Sequence, residues 1–122
     1  MKGVVYMCMS RLVEYINENE GMTYDPRKGV FVSSGYACAK AENEKIIDGS
    51  ITEYDLTIYL YRYQKDLQNP NAMLGVWYNS ENNKTYIDTS YVFESESLAT
   101  EFGRKNHQLA IFHLDTFTEI RL

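Results

Sequence analysis

Gly75, Trp77, Asp88 and Ser90 lie in two β-prone runs, Leu74 to Ser80 and Thr85 to Phe93, which flank Glu81-Asn82-Asn83-Lys84. Asn tolerates the positive φ that tight hairpin turns need, so the spacing predicts a β-hairpin. With the turn centred between Asn82 and Asn83, Trp77 opposes Asp88 and Gly75 opposes Ser90. Directly opposed residues share a sheet face. One face then carries Gly75, Trp77, Asp88 and Ser90, with Asn79 and Tyr86 nearer the turn, while Leu74, Val76, Tyr78 and Ile87 point to a core. Gly75 leaves a space, Trp77 offers a flat wall, and Asp88 and Ser90 offer hydrogen bonds, the mixture found in small-molecule sites. The alternative is a solvated sheet face with Trp77 packed under a helix. A one-residue slip in register would dissolve the arrangement.

A second group follows, Gly103-Arg104-Lys105-Asn106-His107-Gln108. Arg grips phosphate bidentately and Lys adds a point charge. Asn106 and Gln108 have the donors and acceptors to read a base or ribose edge. The alternative is that Arg104 and Lys105 complement a helix C-terminus and Asn106 is its left-handed stop.

Motifs for catalysis and metal binding do not occur. The two histidines, His107 and His113, form no HxxxH or HExxH, and no G-x-S-x-G, P-loop or GxGxxG is present. Glu94 and Glu96 are spaced as solvated or capping charges. Cys8 and Cys38 belong to no CxxC and read as reduced thiols; a cysteine nucleophile with a spatially adjacent His stays formally open. No metal, no cofactor and no enzymatic activity are expected.

The elements that must position these groups make an α+β fold. Val4 to Asn19 reads as a helix from Val5, Met9, Leu12 and Ile16, stopped at Gly21. Its first half is apolar on nearly all sides, so it is either deeply buried or packed on another subunit; in a small domain the second is expected, with residues 1–20 as an oligomerisation helix. A turn at Asp25-Pro26-Arg27-Lys28-Gly29 precedes a short strand, Val30 to Ser33; Tyr36 to Asp48 reads as irregular or partly extended. Thr52 and Asp55 make a capping box for a central helix that runs to about Gln68 and ends at Asn69-Pro70. After the hairpin, Ser95 caps a third helix over about Glu96 to Lys105, and Leu109 to Ile120 reads as a final strand. The sum is a small antiparallel sheet packed by helices, within a single ligand-binding domain over residues 1–122.

Composition narrows the partners. A net charge of −5 with scattered cations does not suit a nucleic-acid polymer. No stretch reaches the ~18 apolar residues of a membrane span, and the start lacks the basic region of a signal peptide, so no membrane association and a cytoplasmic location are expected.

Val32-Ser33-Ser34-Gly35-Tyr36, the Thr52–Gln68 helix, Gly75-Val76-Trp77, Tyr86-Ile87-Asp88-Thr89-Ser90 and Asn106-His107-Gln108-Leu109-Ala110-Ile111-Phe112 occur in that order. Together these residues resemble small phage and prophage proteins of the Thoeris anti-defence type, over roughly residues 30 to 115. The resemblance implies a sponge: a homo-oligomer that binds the cyclic ADP-ribose isomer made by a bacterial TIR protein, without cleaving it, and so blocks host immunity. It carries binding roles to Trp77, Asp88, Ser90, Asn106 and Gln108. Arg104 is the phosphate candidate nearest the motif and is expected to matter more than Arg121; Arg27 or Arg62 of a partner chain are alternatives. Two competing readings are an acidic phage protein that inhibits a host defence protein by direct binding, and a nucleotide-signal hydrolase.

Overall fold

A computed structural model describes residues 8–122. Helix α1 (Met9–Asn19) leads into β1 (Gly21–Asp25), β2 (Val30–Phe31), β3 (Tyr36–Ala39) and β4 (Lys45–Asp48). Helix α2 (Glu53–Arg62), the hairpin β5 (Ala72–Asn79) and β6 (Lys84–Phe93), helix α3 (Glu96–Lys105) and a second hairpin, β7 (Ala110–His113) and β8 (Thr118–Arg121), complete the chain. The eight strands form one sheet in the order β2-β1-β5-β6-β3-β7-β8, with β4 also on β6. Every pairing is antiparallel. The architecture is α+β, and no helix among the described residues is long and apolar enough to cross a membrane.

The helices cover one face of the sheet. Leu12 and Ile16 of α1 and Leu56, Tyr59 and Leu60 of α2 pack with Leu74, Val76 and Ile87. Ala99 of α3 packs with Cys38 and Ile111. Ile87 and Tyr91 of β6 oppose Val76 and Cys38, so alternation puts both clusters on the same side. Each fully buried Leu or Ile contributes roughly 1.5–3 kcal/mol through apolar area removed from water. Gly103 lets α3 settle close: a Cβ there would stand 2.6 Å from Leu122 Cδ1 and 3.4 Å from Cys38 Sγ.

Local chemistry fixes the helix ends. The Asp55 amide donates to Thr52 Oγ1 at 3.2 Å while the Thr52 amide donates to Asp55 Oδ2 at 3.0 Å, which is the expected capping box. Helix α2 stops at Arg62, earlier than the apolar spacing suggested, and a separate 3-10 turn, Asp66–Gln68, follows. Ser95 caps α3 through the Leu98 amide at 3.4 Å. At the other end of α3, Gln108 N donates to Gly103 O at 2.8 Å and His107 N to Arg104 O at 3.3 Å. This is a Schellman ending in which His107, at φ 58°, takes the left-handed position anticipated for Asn106. Likewise Glu20, at φ 61°, ends α1 and Gly21 opens β1.

Three other expectations change. The segment between Tyr36 and Asp48, expected as irregular or partly extended, holds two strands, β3 and β4, and the single final strand is a hairpin with Phe117 at φ 54° in its turn. The β5–β6 register pairs Gly75 with Asp88 and Trp77 with Tyr86, two residues away from the expected register, because the loop is centred between Glu81 and Asn82. A slip of two preserves alternation, so the face assignments survive it. The apolar start of the expected first helix, up to residue 7, lies outside the described residues.

Candidate ligand site

The face of the sheet away from the helices carries several small side chains. Thr23, Gly75 and Asp88 stand abreast on β1, β5 and β6, and Ser90 and Ala39 stand abreast on β6 and β3. Ala37 opposes Phe112 of β7 one row further on. With so little side-chain volume at the centre, the sheet leaves a cavity of about 840 Å3. Larger residues wall it. Tyr15 stacks on Phe31 at 4.1 Å on one side, and Phe112 meets Phe117 edge-on at 6.4 Å on another.

Trp77 is the third wall. Its indole lies on Tyr86, with ring centroids 4.8 Å apart and planes 14° apart. Trp77 lines the cavity and Tyr86 does not, so Tyr86 backs the indole and leaves its other side toward the empty space. Asn82 Nδ2 donates to the Tyr86 hydroxyl at 2.8 Å and holds the backing ring.

Asp88 sits on the floor. Its carboxyl overlies Gly75: a Cβ added to Gly75 would collide with Oδ1 and come within 3.2 Å of Cγ and of Ser90 Oγ. The space at Gly75 is therefore filled by the Asp88 carboxyl, and the cavity begins above it. Ser90 Oγ donates to Asp88 Oδ1 at 2.7 Å. Burial pushes the Asp88 carboxyl above its ordinary range; the Ser90 bond offsets part of this, and Glu44 adds to it. Asp88 is partly buried, enclosed by protein except where it lines the cavity.

No family model, characterised protein or solved structure matches this chain.

Of the seven residues singled out in the sequence, five come together: Gly75, Trp77, Asp88, Ser90 and Gln108 all line the cavity. Two do not. Arg104 is exposed on the outer surface of α3 beside Glu96, Ser97, Thr100 and Glu101, on the helix-covered side of the sheet. Asn106 turns back on its own helix and donates from Nδ2 to Phe102 O at 2.8 Å. The cause is the Schellman turn, which sends only Gln108 onward to the cavity side. The sequence reading missed Thr23, Ala37, Ala39, Phe112 and Phe117. The signal for two of them was the alternation in Tyr36-Ala37-Cys38-Ala39, with small residues at every second position.

The charge of the cavity is one-sided. Its charged lining residues are Asp88, Glu20 and Glu119, and no Lys, Arg or His lines it among the described residues. Arg121 opposes Ala110, which lines the cavity, so the register puts Arg121 on that side of the sheet; its guanidinium is 3.5 Å from Glu119. His113 belongs to the opposite side. It stacks on Tyr36 at 4.3 Å, and contacts Asp115 at 3.2 Å and Thr116 at 3.0 Å within the β7–β8 turn. The same Asp115 accepts from the Gly35 amide at 2.8 Å, so the cluster ties this turn to the start of β3. Cys38 is buried and its thiol is pushed up to about 11 by burial, with Asp88 adding to the shift, which suits packing rather than attack on a substrate. No group of three or more His, Cys, Asp or Glu gathers as a metal site among the described residues.

Proposed function

We propose that this protein binds a small nucleotide-like ligand on the open sheet face and sequesters it without chemical change, the ligand being a TIR-generated cyclic ADP-ribose isomer. The observation that carries the reading is the cavity walled by Trp77 and floored by Asp88 and Ser90. Its volume, about 840 Å3, falls within the range of small-molecule sites. The free side of Trp77 suits a purine, and stacking a base on an aromatic ring contributes about 1–3 kcal/mol. Sequestration needs affinity rather than turnover, and about −8 kcal/mol corresponds to micromolar binding. Among the described residues the phosphates of such a ligand have no cation on the floor, so they lie toward the rim near Arg121.

Direct inhibition of a host defence protein is the second reading. It is favoured by an exposed stripe on α2, where Tyr54, Ile58 and Tyr61 are 73%, 41% and 74% exposed at successive helical turns.

Incubation with the messenger followed by heat denaturation separates the readings. A sponge depletes the messenger and returns it intact. A hydrolase returns products, and a protein-directed inhibitor leaves the free messenger undepleted throughout.

A further inference from the structure

The floor of the cavity has a selectivity that follows from its charges. Among the described residues, Ser90 is the hydrogen-bond partner of the Asp88 carboxyl, and it engages Oδ1. Ser90 uses its proton in that bond, so its oxygen can face a ligand only as an acceptor. Glu20 and Glu119 at the cavity wall add negative charge, and among the described residues no cation lines the site. Burial already disfavours the Asp88 charge. A ligand group that brings N–H donors relieves that cost by pairing with the carboxylate. One that brings an acceptor or an anion leaves it unpaired in an enclosed place, which is how buried polar groups reject near-isosteres.

Resting on the reading above, in which a planar base stacks on Trp77, we infer that Asp88 is the specificity-determining residue of the cavity: it selects a heterocycle with an amino edge, of the aminopurine class, and turns phosphate away from the floor. Trp77 fixes the plane of the ring, Gly75 gives the Asp88 carboxyl its seat on the floor, and Ala39, a small residue on the strand beside β6, leaves room for that edge to come down to the carboxyl. Phosphate-bearing parts of a ligand are thereby directed outward, with the base inward.

The test compares adenosine with purine riboside, which lacks the amino donor at C6 and keeps N1 as an acceptor, and with inorganic pyrophosphate. Trp77 fluorescence and calorimetry report binding to the full chain. Adenosine is expected to bind at least tenfold more tightly than purine riboside, and pyrophosphate is expected not to compete with it. In Asp88→Asn, whose amide both donates and accepts, the two nucleosides should differ by less than about threefold. The wild-type comparison needs no variant and decides the matter even where Asp88→Asn folds poorly. Equal binding of adenosine and purine riboside overturns the inference, as does competition by pyrophosphate, the absence of any nucleoside binding, or a tenfold preference that persists in Asp88→Asn. Messenger binding is measured alongside. If the messenger is held but the nucleosides are not discriminated, the selectivity fails and the sponge stands; if adenosine is preferred but the messenger is not held, the reverse is true.

Discussion

The Asp88 carboxyl lies directly over Gly75, the residue opposite it in the β5–β6 ladder, in the place where any larger residue at position 75 would put its first side-chain carbon. The glycine is required by this close approach and not by backbone geometry, since Gly75 is not among the positive-φ glycines.

Gly75→Ala is therefore expected to act through Asp88. The new methyl must push the carboxyl off its position and strain the 2.7 Å bond from Ser90. The carboxyl is the end of a flexible side chain, so the loss should be modest, about 1–3 kcal/mol as for other overpacked sites. In an Asp88→Ala background the same substitution should cost less than half as much. Chemical denaturation of the four proteins in this cycle measures the coupling; additive effects would show that the two residues do not meet.

Asp88 also predicts a pH dependence of stability. The unfolded chain releases this proton near the ordinary value of 3.8, whereas the folded protein holds it to higher pH because burial disfavours the charge. Below 3.8 both states are protonated and the contribution is fully present. As pH rises through 3.8 and on through the raised folded value, the unfolded state ionises first and that stability is lost. Asp48 and Asp115, whose carboxyls are held low by Lys84 and by the Gly35 amide, act in the opposite sense but equally in wild type and variant. Melting temperatures from pH 3.5 to 7 should thus fall in wild type relative to Asp88→Asn, by several degrees. A constant difference across that range would mean the carboxyl is not buried.

Tyr59 anchors α2 to the sheet through a polar contact sealed in the core. Its hydroxyl donates to Asn43 O at 2.8 Å and lies 3.0 Å from Thr89 Oγ1, with Asn43 Nδ2 also 3.2 Å from Thr89 Oγ1. Thr89 and Asn43 are buried. Tyr59→Phe leaves the Asn43 carbonyl short of a donor, and should cost about 1–3 kcal/mol. A lower urea midpoint with unchanged slope is the expected result. An unchanged midpoint would place water, not Tyr59, at that carbonyl.

The parts of this fold that could be read in the sequence were those with local signals. Thr52 and Asp55 declare a helix start within four residues, and the Asn82-Asn83 turn declares a hairpin. Alternation then gave the shared face of Gly75, Trp77, Asp88 and Ser90, which depends only on parity and so survived a register error of two. Strand β1 was missed, and β3 was legible only as irregular or partly extended chain, because Gly21, Ala37 and Ala39 are poor strand formers taken alone. They are extended because long-range pairing with β5 and β6 holds them, and small because they floor the cavity. Arg104 was misplaced for a related reason. Nearness in sequence to Gln108 said nothing of the Schellman turn, which reverses the chain between the two residues.

That placement reverses an order of effects. Arg104→Ala should leave messenger affinity within about twofold, because its side chain is on the outer face of α3. Arg121→Ala should weaken it roughly twofold to fivefold, on the order of 0.5–1 kcal/mol as for an exposed charge pair. The Arg121 effect should shrink when salt is raised, since exposed charges are screened. Calorimetric titrations at two salt concentrations check both statements, and a larger loss from Arg104→Ala would move the phosphates to the helix side of the sheet.

Tyr86 provides the last prediction. It does not line the cavity, and it touches the ligand space only through Trp77, whose ring it backs at 4.8 Å. A half-exposed indole with an unsupported rear side can swing, and a swinging wall binds a flat ring less well because its ordering must be repaid on binding. Stacked aromatic pairs contribute about 0.5–1.5 kcal/mol beyond the area they bury. Tyr86→Leu keeps an apolar side chain opposite Trp77 but removes the stack and the bond from Asn82. Messenger affinity should fall roughly threefold to tenfold, and the fluorescence anisotropy of Trp77, the single tryptophan, should drop in the free protein and recover when ligand is added. Tyr61→Leu, on the far surface of α2, serves as the control for loss of an exposed tyrosine. If Tyr86→Leu lowers affinity while the free-state anisotropy stays unchanged, then Tyr86 meets the ligand itself and the indole is not the wall.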